Sequence, residues 1–170
     1  MRKTRGFTVV ELMITLLVLG VLVVMVVRIG DNVTANSRIT GLINNFLADY
    51  SQAKLLASSE NRYVAITFSA DGRSYALAKQ TDITDTTAWT PVKTVTPFSD
   101  RTFFDGGGVA DFAINSTGEV RPLPIDLNAA PSGVTLNFYI RKGRGTAGEG
   151  VAYTRTIQIL PYGGLKVEKK

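Results

Sequence analysis

The sequence predicts an α+β chain in which one long N-terminal helix precedes an antiparallel β-sheet domain. Three observations carry this. Phe7 to Val27 is an apolar run interrupted by one charge, Glu11. An amphipathic stripe with spacings of three and four continues that run to Ala57. From Arg62 onward the apolar period drops to two, with turn residues between the runs. The 170 residues suit one domain with an appendage, and 45% hydrophobic against 19% charged residues is too apolar for a disordered chain.

Composition also narrows the chemistry. Cysteine and histidine are both absent. That removes disulfides, thiolate or imidazole metal sites, and nucleophiles that depend on a histidine base. No enzyme and no cofactor are expected.

The first six residues, Met1 to Gly6, hold Arg2, Lys3 and Arg5. The following 21 apolar residues would cover about 32 Å as a helix, against a bilayer core of roughly 30 Å. Basic residues before the span place the N-terminus in the cytoplasm and the remainder outside. No Ala-x-Ala-like cleavage site follows the run. Glu11 needs its own explanation, because a carboxylate deep in a spanning helix costs about 2.5–3.5 kcal/mol.

The stretch Arg5-Gly6-Phe7-Thr8-Val9-Val10-Glu11-Leu12-Met13 resembles the class III signal of type IV pilins and type II secretion pseudopilins. The resemblance implies cleavage by a prepilin peptidase between Gly6 and Phe7, and N-methylation of Phe7. It also implies that Glu11, fifth in the mature chain, meets the N-terminus of a neighbouring filament subunit. A new α-amino group, with a pKa of about 7.7–8.0, would supply the cation a buried carboxylate requires. A local reading stays open beside it: Thr8-Val9-Val10-Glu11 fits the capping box S/T-x-x-E.

Beyond Arg28 the stripe comprises Ile39, Leu42, Ile43, Phe46, Leu47, Tyr50, Ala53 and Ala57, with Asp49 among the polar residues placed off it. One helix from about Phe7 to about Ser59 follows, its stripe laid across a sheet, with Gly30 and Gly41 as weak points. Four segments result: a leader 1–6, a transmembrane or filament-core helix 7–28, its amphipathic continuation 29–60, and a β-rich domain 61–170.

Within that domain, Tyr63–Phe68 reads as a strand, Asp71-Gly72 as a turn and Tyr75–Ala78 as the hairpin partner. Thr81 to Pro91 reads as a polar loop and Val92–Val95 as a short strand. Val109–Ile114 and Val120–Ile125 flank a Ser116-Thr117-Gly118 turn. Val134–Ile140, Val151–Leu160 and Leu165–Val167 complete some seven or eight strands.

This order matches the pilin fold. The chain is similar to the minor pseudopilin H subunit and to FimT-type minor pilins, through Ala53-Lys54-Leu55-Leu56-Ala57, Tyr63-Val64-Ala65-Ile66, Ile114-Asn115-Ser116-Thr117-Gly118 and the closing Gly163-Gly164-Leu165-Lys166-Val167. The resemblance implies a structural subunit near the tip of a type II secretion pseudopilus or type IV pilus. Its partners would be other pilins through the helix, the prepilin peptidase and inner-membrane lipid. The alternative is a minor pilin that binds DNA for uptake.

Residues 121–170 carry eight basic and three acidic side chains. Arg141, Lys142, Arg144 and Lys166 are the candidates for DNA or another acidic partner. DNA-binding relatives carry Gly-Arg-x-Arg where this chain has Gly164-Leu165-Lys166-Val167. Gly143–Gly148 matches G-x-G-x-x-G, but β-formers rather than a helix follow, so it reads as a hairpin loop. Asp82, Asp85, Asp100 and Asp105 are too sparse for a calcium loop, and no metal site is expected.

Overall fold

A computed structural model describes residues 8–96, 102–105, 111–141 and 151–169. The chain divides into two compact units, 1–37 and 38–170. One helix, α1 (Val9–Glu60), runs without interruption through Gly30 and Gly41. Its amphipathic residues from Arg38 onward belong to the second unit. Asn61 ends α1 in the left-handed conformation at φ 51°, and Arg62 N–H returns to Ala57 C=O at 3.1 Å. Asparagine tolerates this conformation because its side chain bonds locally.

Nine strands follow among the described residues, in two antiparallel sheets. The first contains β1 (Val64–Phe68), β2 (Tyr75–Asp82), β3 (Asp85–Val95), β5 (Phe112–Ile114) and β6 (Val120–Pro122), ordered β3-β2-β1-β5-β6. The second contains β4 (Thr102–Asp105), β7 (Val134–Arg141), β8 (Val151–Ile159) and β9 (Leu165–Lys169), ordered β4-β7-β8-β9. The α+β class with antiparallel sheets agrees with the sequence; the division into two sheets and strand β4 were not foreseen.

The core forms where the stripe of α1 meets both sheets. Ile39, Leu42, Phe46, Tyr50, Ala53 and Ala57 are fully buried. Phe46 joins the layers: its ring lies 5.4 Å from Tyr75 of the first sheet and 5.5 Å from Phe138 of the second. A direct backbone bond, Val120 N–H to Pro161 C=O at 2.8 Å, also links the β6 region to the turn after β8.

Three expectations need correction. The polar loop expected at Thr81–Pro91 is instead the end of β2, a two-residue turn at Ile83-Thr84 and most of β3. β3 is an edge strand exposed along most of its length, so no buried face imposed an apolar alternation on it. Its threonines are β-formers all the same. Leu47, placed on the stripe, is only half-buried. Asp49, placed off it, is buried, because β2 and β3 supply partners for its carboxylate.

Turn chemistry explains several acidic side chains. Asp82 Oδ1 accepts from Thr84 N–H and Oγ1 at 2.9 Å each, and these bonds hold its carboxyl below the usual range. Asp85 does the same with the Thr87 hydroxyl and N–H. Asp100 and the G-x-G-x-x-G segment 143–148 lie outside the described residues.

Candidate functional site

The described part of the N-terminal segment begins at Thr8; Gly6 and Phe7 lie outside it. Thr8 caps α1. Its Oγ1 accepts the Glu11 N–H at 3.2 Å and its carbonyl accepts the Leu12 N–H at 3.1 Å. One of the otherwise unsatisfied N–H groups of the first turn is thereby paired. Glu11 is the third helical residue, where the helix dipole favours negative charge. The capping box is only half made: among the described residues the Glu11 carboxylate has no hydrogen-bond or ion-pair partner. Thr15 Oγ1 turns back to the carbonyls of Glu11 and of Leu12, the latter at 3.2 Å.

Every residue from Thr8 to Val23 is exposed. Leu12, Met13, Leu16, Leu17 and Leu19 each leave more than half their surface open. A helix apolar on all sides needs lipid or other helices around it. Among the described residues no helix is long and apolar enough to cross a membrane. Part of the expected span 7–28 lies outside them: Phe7, and the side chains from Val24 to Arg28.

The basic candidates are not brought together among the described residues. Arg141 ends β7 opposite Val151, while Lys142 and Arg144 lie outside the description. Lys166 pairs with Glu168 at 2.6 Å. Neither the burial of Asp49 nor the open edge of β9 was legible in the sequence, since both depend on what packs nearby.

No curated protein and no solved structure matches the chain. Residues 1–27 match the family described as the prokaryotic N-terminal methylation motif. The motif implies, in general terms, processing by a prepilin peptidase and assembly with pilin-like subunits. The segment in which Thr8 caps the helix, and in which Glu11 has no partner among the described residues, therefore carries a type IV pilin-like prepilin signal.

Proposed function

We propose that this protein is a non-catalytic minor subunit of a type IV-like filament, either a type II secretion pseudopilus or a type IV pilus, placed near its tip. It starts as a single-pass inner-membrane protein with its N-terminus in the cytoplasm and its β domain in the periplasm. Prepilin peptidase cuts after Gly6 and methylates Phe7. The apolar sleeve then exchanges lipid for the helices of neighbouring subunits, and Glu11 pairs with a neighbour's α-amino group. The carrying observation is the methylation motif at 1–27 leading into a helix exposed on every side from Thr8 to Val23. The similarity to H-subunit and FimT-type sequences supports the minor, tip-proximal role. Capture of DNA has less behind it, because Lys166 is engaged by Glu168.

Intact mass spectrometry of the chain from membranes with active prepilin peptidase tests the reading. The expected species begins at N-methyl-Phe7 and has 164 residues. Persistence of Met1 in those membranes overturns it.

A further inference from the structure

Gly20 is the only glycine between Thr8 and Val23, and nothing within the chain calls for a glycine there. α1 passes through it without a break. It is helical, unlike Gly72, Gly118 and Gly163 with their positive φ. A Cβ added at Gly20 would meet nothing within 4 Å among the described residues. Glycine in a helix interior costs about 1 kcal/mol against alanine. Neither a turn, a bend nor a close approach inside this chain offsets that cost.

The surface around Gly20 is apolar and open. Neighbours on a helix surface lie three and four residues away. Of those neighbours, Leu16, Leu17 and Val23 are 61%, 69% and 55% exposed. Gly20 is therefore a notch of bare backbone rimmed by large apolar side chains.

The notch faces away from Glu11. Nine residues at 3.6 per turn make about two and a half turns, so the two positions lie on opposite sides of α1. A filament that grows by one repeated contact joins one face of a subunit to a different face of the next. The Thr8 and Glu11 side of α1 and the Gly20 side are two such faces.

The occupant follows from the methylation motif. Residues 1–27 contain both Glu11 and Gly20, and the motif implies assembly with pilin-like subunits. The partner surface is then another apolar helix. Apolar helices leaving lipid for one another gain little from the hydrophobic effect, so close packing drives their association, and small residues let two backbones approach.

We propose that Gly20 is the crossing point at which the N-terminal helix of a neighbouring pilin-like subunit packs directly on the backbone of α1, on the side away from Glu11. This rests on the filament reading and adds to it the residue that sets how closely the two helices meet.

The test replaces the parent chain by Gly20→Ala or Gly20→Leu in cells with active prepilin peptidase, and reads each chain in sheared filaments as a fraction of its membrane pool. Both substitutions favour the helix and an apolar surrounding, so neither harms folding or insertion. Incorporation should fall with side-chain size, by less than about threefold for alanine and by about tenfold or more for leucine. Undiminished incorporation of the leucine chain overturns the proposal. So does an equal loss for both variants, which is what a helix that must loosen at its glycine would give. Absence of the parent chain from filaments overturns the filament reading and the crossing with it, whereas the two preceding outcomes, seen with the parent incorporated, overturn the crossing alone.

Discussion

The Tyr75 hydroxyl donates to Asp49 Oδ2 at 2.7 Å inside the domain, tying the helix to the first sheet. Lys93 Nζ reaches the other oxygen of the same carboxylate at 2.6 Å from β3, with its stem partly in solvent. One helix carboxylate thus holds two adjacent strands, and its burial is offset by a hydroxyl and a cation.

Asp49→Ala should cost roughly 2–3 kcal/mol, because the buried phenol loses its acceptor, whereas Lys93 can turn to water. Asp49→Asn keeps an acceptor and should cost less. Urea denaturation of the two variants against the parent measures the difference. Equal stability of all three would mean that the carboxylate contributes nothing to the fold.

The same pocket makes stability sensitive to alkali. Burial, then the Asp49 hydrogen bond and charge, push the Tyr75 phenol far above its usual 10.0. Burial alone pushes Tyr50 up to about 12. A raised phenol favours the folded state fully below the unfolded pKa and loses that advantage as pH rises through the folded one. Denaturation midpoints should hold up to about pH 10 and fall above it. In Tyr50→Phe the fall should be shallower, and midpoints flat to strongly alkaline pH would contradict the burial of these phenols.

Gly163 and Gly41 should respond to alanine in opposite directions. Gly163 sits at φ +73°, and a Cβ there would lie 2.6 Å from the Gly118 carbonyl. Gly163→Ala should cost about 1–3 kcal/mol. Gly41 lies inside α1, and a Cβ added there would meet nothing within 4 Å. Gly41→Ala should stabilise by up to about 1 kcal/mol. Thermal melts of both variants read the two signs.

Thr8 and Glu11 separate capping from assembly. Thr8→Ala removes the cap and should cost the helix about 1 kcal/mol. Glu11→Ala should leave membrane insertion unharmed or improved, since it removes a carboxylate from an apolar run. Its incorporation into filaments should drop. Fractionation of membranes and sheared filaments distinguishes the two effects, and normal assembly of Glu11→Ala would leave Glu11 with only a local place in the first turn.

A chain starting at Asn36 should fold as a soluble monomer without reductant. It keeps the unit 38–170, with Phe46 and both sheets, and there are no thiols to protect. Circular dichroism and sedimentation measure this, and a molten spectrum would mean that the preceding helix completes the core.

Local chemistry was legible from the residues alone. The apolar run with its lone Glu11 reads as a helix, as Val9–Glu60 is, and it lies within the residues 1–27 that match the methylation motif. The stripe through Phe46 was readable because a helix repeats every 3.6 residues, and the turns at Asp71-Gly72 and Ser116-Thr117-Gly118 because glycine reaches positive φ, as Gly72 and Gly118 do. Tertiary structure alone decided whatever depends on neighbours distant in sequence. The burial of Asp49 required Tyr75 and Lys93 to arrive from two strands. β3 was unreadable because a strand wetted on most of its length needs no alternation. The exposure of Leu165 and Val167 followed from β9 falling at the end of its sheet, since the same alternation in a central strand would have been buried on one face.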